Sequence, residues 1–307
     1  MKALIKIHLI IIGTLLSVVV YAQQEPMYSQ YMFNTMALNP AYAGSREVIS
    51  TTLLGRAQWL GIEGAPKSQT LSIDAPIRNK KIGIGLIAFN DKIGLSRNTG
   101  IHGSYAYRIR FERTTLSMGL KLGIVHYTAN LSQAALSTGN TSDDRGFQNN
   151  LSTLIPSAGA GIFFNSDKYY LGISAPNLYS RQIILDQDIK INKDNHIFLM
   201  GGYVFTLNND IKLKPSGLMK FVKGAPIQFD LNTNVWFYDL LGLGVSYRTG
   251  DAIVGMVELQ VRNNFRVGYS YDYTTTQLQK YNSGTHEIML RFEFGFGKDK
   301  IVTPRYF

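Results

Sequence analysis

The sequence predicts an all-β fold, an antiparallel barrel of outer-membrane type with about fourteen strands. Three observations carry this expectation: an export leader, segments that alternate apolar and polar residues with period two, and connections whose lengths sort by parity. Period two matters because successive side chains of a strand point to opposite faces of a sheet.

The leader comes first in the chain. Lys2 and Lys6 flank the start of an apolar run, Leu9 to Val20, which ends in Val20-Tyr21-Ala22 ahead of Gln23-Gln24. A basic start, a short apolar middle and small residues at the break make residues 1–22 a secretory signal peptide, cleaved near Ala22. The run is shorter than the roughly 20 apolar residues that a spanning helix needs, and no later stretch approaches that length. Without residues 1–22 the chain keeps 29 basic and 21 acidic residues, a net charge of +8. The basic residues are scattered, so no nucleic-acid partner is expected. Cysteine is absent, which excludes disulfides and thiolate metal sites. No linker rich in Pro, Gly or Ser divides the mature chain, which reads as one domain.

Residues 23–47 precede the first strand. Tyr28, Tyr31 and Phe33, followed by Asn39-Pro40-Ala41-Tyr42, describe an ordered segment anchored by aromatics and ending in a turn. Parity places it on the periplasmic side, either as a plug packed in the barrel or as a docking surface, since exposed aromatic clusters are favoured interface anchors.

The barrel is expected over residues 48–297. Its last strand is the clearest, with Ile288, Leu290, Phe292, Phe294 and Phe296 against Glu287, Met289, Arg291, Glu293 and Gly295. The segment around Tyr269 sets Phe265, Val267, Tyr269, Tyr271 and Tyr273 against Arg266, Gly268, Ser270 and Asp272. Strands are expected near residues 48–59, 67–76, 81–90, 99–110, 114–127, 153–164 and 168–175. Seven more follow near 195–206, 210–221, 227–238, 240–248, 252–261, 264–273 and 285–296. The first two alternate weakly, and without them the count is twelve. The tail, residues 298–307, is expected in the periplasm, with Tyr306 and Phe307 as a docking or assembly signal.

Links after even-numbered strands are brief, and the three long ones, 128–152, 176–194 and 274–284, follow odd-numbered strands. Outer-membrane barrels have short periplasmic turns and longer outward loops; a soluble sandwich has no reason to sort them. Tyr105, Tyr107, Phe111, Phe163, Phe164, Tyr203, Phe205, Phe237 and Tyr238 sit near strand ends, where interfacial girdles belong. Closure is then required, because an open edge in lipid leaves backbone groups unpaired.

Catalytic patterns are missing. His102, His126, His196 and His286 stand apart, and no GxSxG elbow or P-loop is present. No enzyme activity, cofactor or metal is expected. The pairs Gly83/Gly85, Gly159/Gly161 and Gly242/Gly244 fall inside strands, where glycine marks curvature or close packing. The polar faces carry Arg56, Asp74, Arg108, Lys121, Lys212, Lys214, Lys220, Asp230, Glu258, Arg266, Asp272, Glu287, Arg291 and Glu293. These form either an ion-pair network that packs the lumen or a lining that selects solutes.

The block YSQYMFNTMALNPAYAG at 28–44 resembles the N-terminal signature of the PorP/SprF family of type IX secretion membrane proteins. KSQTLSIDAPI at 67–77, GAPIQFDLN at 224–232, GYSYDY at 268–273, GTHEIMLRFEF at 284–294 and PRYF at 304–307 are similar to that family's blocks in the same order. The resemblance implies a non-catalytic component of the Bacteroidetes secretion and gliding apparatus. Its implied surroundings are outer-membrane lipid, other secretion components and a secreted cargo protein. The alternative is a transport barrel for small or lipophilic solutes, since about fourteen strands can enclose a cavity.

Overall fold

The structure is a computed structural model that describes residues 27–133, 150–178, 183–186, 189–191 and 195–295. The strands are β1 (Ile49–Ala57), β2 (Lys67–Ile77), β3 (Ile82–Ile93), β4 (Ser96–Arg110), β5 (Thr114–Ala129), β6 (Leu151–Ser166) and β7 (Tyr169–Ala175). A hairpin, β8 (Ile183–Asp186) and β9 (Ile189–Ile191), lies in the next connection. Then come β10 (His196–Tyr203), β11 (Phe205–Thr206), β12 (Ile211–Val222), β13 (Gln228–Phe237), β14 (Leu241–Arg248), β15 (Ala252–Arg262), β16 (Phe265–Thr274) and β17 (Thr285–Phe294).

Every strand of the main sheet pairs antiparallel with its sequence neighbour, and the two terminal strands pair with each other from Ile49 opposite Phe294 to Ala57 opposite His286. β8 and β9 pair only with each other. β10 and β11 make one stave broken at Val204, whose N–H donates to Lys168 O at 2.6 Å. The result is a closed barrel of fourteen staves, so each backbone edge inside the bilayer has a neighbour.

Alternation settles the two faces in the inverse sense of a soluble protein. Along β2 the buried residues are Ser68, Thr70, Ser72, Asp74 and Pro76, while Leu71, Ile73 and Ile77 face outward. β17 repeats this, with Glu287, Met289 and Arg291 inside and Ile288, Phe292 and Phe294 outside. Lipid is the apolar solvent of the outer face, so a polar lumen and a hydrophobic exterior are the stable arrangement. Tyr105, Tyr107, Phe111, Tyr203, Phe205 and Tyr238 are exposed on the outer surface, toward the end bearing the short turns. Phe163 departs from the girdle expected of it. It points inward, fully buried, and stacks on Tyr170 with centroids 5.8 Å apart.

The connections at one rim span 78–81, 111–113, 167–168, 207–210, 238–240 and 263–264. The other rim carries the long ones, including 58–66, 130–150, 176–195 and 275–284. These are called the turn end and the loop end below. β1 starts at the turn end.

Candidate functional site: the filled lumen

Residues 28–46 lie inside the barrel, and all but Ala37 among those between Tyr28 and Arg46 are buried. Three short helical turns, Tyr31–Phe33, Thr35–Leu38 and Pro40–Tyr42, give the segment local hydrogen bonds that the lumen does not supply. The last is built from its sequence: Pro40 sets the first helical φ, and Asn39 Oδ1 accepts from Ala41 N at 3.0 Å.

Six aromatic and turn residues singled out by the sequence are brought together here. The Tyr28 hydroxyl meets Thr70 Oγ1 at 2.6 Å, and Tyr31 Oη accepts from Asn232 Nδ2 at 2.7 Å. The Phe33 ring lies 5.4 Å from the Arg291 guanidinium and 5.9 Å from Lys214 Nζ, and its carbonyl accepts from Arg291 Nη2. Asn39 Nδ2 donates to Ile162 O at 3.0 Å, and Pro40 is buried beside it. Tyr42 meets the Phe163 ring edge-on, with centroids 5.3 Å apart.

The floor under Leu38 to Gly44 is a row of small residues. Gly83, Ala106, Gly119, Gly161 and Ser174 are register partners across β3 to β7. A Cβ on Gly83 would overlap the Ala43 carbonyl, one on Gly119 the Ala41 backbone, and one on Gly161 the Asn39 amide. Ser174 Oγ donates to Leu38 O at 2.8 Å. Of the glycines expected to mark curvature or close packing, Gly83 admits the luminal backbone itself and Gly161 the Asn39 side chain; Gly119, not among them, also admits backbone.

Charged side chains complete the filling. At the loop end, Arg248 Nε meets Asp230 at 3.0 Å, and its Nη1 reaches Asp251 at 3.1 Å and Asp272 at 3.4 Å. Arg56 bridges Asp272 at 2.9 Å and Glu287 at 3.1 Å. Glu287 in turn accepts from the backbone N–H groups of Ser29 (2.9 Å) and Gln30 (2.7 Å). Toward the turn end, Glu258 pairs with Arg266 and Glu293 with Arg46, the latter at 2.5 Å. Asp74 Oδ2 accepts from Gly44 N at 2.8 Å. Lys214 is fully buried over the Trp236 ring, 5.2 Å from its centroid. Arg108 Nη2 lies 3.7 Å from Glu47, which also receives Lys80 and Arg110. Lys212 is the exception among these lumen candidates: it reaches out of the lumen to the rim, where Nζ lies 2.7 Å from Asp239.

Contributors that escaped the sequence reading include Arg46, Glu47, Trp236, Arg248 and Asp251. Trp236 and Arg248 share the inward parity of Asn234 and Ser246, so alternation alone could have found them. Tyr306 and Phe307 lie outside the described residues. Chemically the arrangement binds its own chain, since its carboxylates are taken up by guanidinium and backbone donors. Among the described residues no three His, Cys, Asp or Glu side chains gather to hold a metal.

A model of the family described as type IX secretion system membrane protein PorP/SprF matches residues 20–292. The chain belongs to the PorP/SprF family. Among solved structures, this PorP/SprF barrel is similar to a Pseudomonas aeruginosa FadL homologue, at 11% identity over 89% of this chain and 96% of the other, with a TM-score of 0.50. It is also similar to the CymD monoaromatic hydrocarbon channel, at 11% identity over 88% and 94% of the two chains and a TM-score of 0.51. Omp33 of Acinetobacter baumannii matches at 9% identity over 81% and 98%, with a TM-score of 0.46. These likenesses are of fold, and the neighbours are outer-membrane barrels. No curated protein matches the chain. The PorP/SprF protein is thus an outer-membrane β-barrel of the type IX secretion system.

Asn39→Ala tests how firmly the luminal turn is held. It removes the bond to Ile162 O and takes from the buried Ala41 N–H its acceptor, at a cost of about 1–3 kcal/mol. The purified barrel is expected to lose its folded, heat-modifiable gel mobility at a lower temperature than the unaltered protein. An unchanged transition would show that the turn contributes little.

Proposed function

We propose that this PorP/SprF barrel is a non-enzymatic, non-conducting component of the type IX secretion and gliding machinery, supporting secretion or surface anchoring of cargo proteins. One observation carries the reading: residues 28–46 fill the lumen through specific hydrogen bonds and ion pairs on strands around its circumference. On this reading the occupied lumen offers solutes no path, and its polar interior serves to pack a segment of its own chain. Work on other proteins then falls to its rims and outer face, against secretion partners and cargo in the plane of the membrane. Signal cleavage near Ala22 and a periplasmic C-terminal tail ending in Tyr306-Phe307 belong to the same reading.

The second reading, transport of small or lipophilic solutes, draws on the fold shared with a hydrocarbon channel. It needs the luminal segment to leave or rearrange. A clean deletion with complementation separates the two, read by mass spectrometry of the cell surface and medium and by planar-bilayer conductance of the purified barrel. We expect loss of one or more large secreted proteins and negligible conductance. An unchanged secretome together with steady conductance would reject the secretion role and favour transport.

A further inference from the structure

We infer that the luminal segment is threaded through the barrel from the loop end to the turn end, so that Met27 sits at the cell-surface mouth although β1 starts on the periplasmic side. Two strands serve as rulers. β17 runs from the loop end to the turn end, and its Glu287, Arg291 and Glu293 contact Ser29-Gln30, Phe33 and Arg46 in that order. β2 runs in the same direction, and its Thr70, Ser72 and Asp74 contact Tyr28, Asn34 and Gly44. Six residues of strand, Glu287 to Glu293, cover roughly 20 Å along the strand. Nothing in the two series runs backward.

The ends are anchored independently. Ser29 Oγ donates to Asp272 at 2.6 Å and meets Arg248 Nη2 at 3.3 Å, and Arg248 is the last residue of β14 at the loop end. Glu47 meets Lys80 at 2.9 Å and Arg110 at 3.1 Å, in or next to the turns 78–81 and 111–113. Long loops face outward in barrels of this kind, which places Met27 on the cell-surface side. Parity along the sequence puts the whole of residues 23–47 in the periplasm, because it locates only the point where Ile49 enters β1.

The consequence concerns who can act on the segment. A hatch hinged before β1 and swinging into the periplasm would have to draw Met27 down the whole lumen, past Arg291 and the glycine row. A partner outside the cell meets the Met27 side of the segment directly. The chain has no cysteine, so single cysteines report sidedness without background. Met27→Cys, Tyr281→Cys in the 275–284 loop and Lys80→Cys in the 78–81 turn are each exposed to a membrane-impermeant maleimide on intact and on permeabilised cells. Met27→Cys is expected to label on intact cells as Tyr281→Cys does, with Lys80→Cys labelling only after permeabilisation. Labelling of Met27→Cys that follows Lys80→Cys would overturn the inference. So would labelling only after the barrel is unfolded, since the residue would then be sealed inside.

Discussion

A Gly83→Val, Gly119→Val double variant is expected to make the barrel conduct, if the luminal segment is what closes it. Both new side chains would project where backbone atoms of Ala43 and Ala41 already stand, and backbone cannot step aside as a flexible side chain can. Valine suits a strand, so the wall itself should still pair. The luminal turn should give way instead. Overpacking costs typically about 1–3 kcal/mol at each site, enough together to displace residues 38–44 and admit water to the polar lumen. Planar-bilayer conductance should appear, and the temperature at which heat-modifiable mobility is lost should fall. Gly55→Val is the control, because no atom lies within 4 Å of the added Cβ, and it should change neither reading. A double variant that melts normally and stays silent would mean that the glycine row does not seat the segment.

Arg248→Met is expected to be the most damaging single change in the loop-end network. The guanidinium is buried and serves Asp230, Asp251, Asp272 and Ser29 Oγ together. Its removal takes the guanidinium from the buried Asp230, while Asp272 keeps Arg56 and Ser29 Oγ. Breaking a buried pair from one side typically costs about 3–5 kcal/mol, because the remaining charge is left uncompensated. A large drop in the urea midpoint of the refolded barrel is the expected result. Adding Asp230→Asn should recover part of it, since the second substitution removes a stranded charge. Absence of recovery would argue that Arg248 acts through packing and not through its charges. A wild-type midpoint in the single variant would dismiss the network as a source of stability.

Much of this was legible in the chain because the lipid boundary imposes simple local rules. Alternation over Glu287 to Phe294 names the inward and outward faces without any knowledge of neighbours, and short turns such as 263–264 set direction. Phe163 shows where such rules stop. Its place near a strand end suits a girdle, but one step of parity turns it inward against Tyr42 and Tyr170. The hairpin of β8 and β9 was also missed, since it lies in a connection that the lipid rules do not govern.

The sequence by itself determined the barrel, its family resemblance and the polar character of its lumen, because each follows from local periodicity or from contiguous motifs, and it left the count between fourteen strands and twelve until the closed sheet settled it. Only the tertiary structure decided what fills that lumen. Gly83, Gly119 and Gly161 lie on three different strands, and their alignment under Asn39 to Gly44 depends on the pairing register. Asp230, Asp272 and Glu287 likewise converge on Arg56 and Arg248 only once the sheet has closed. Register and closure are collective properties, set by the whole ring of strands at once.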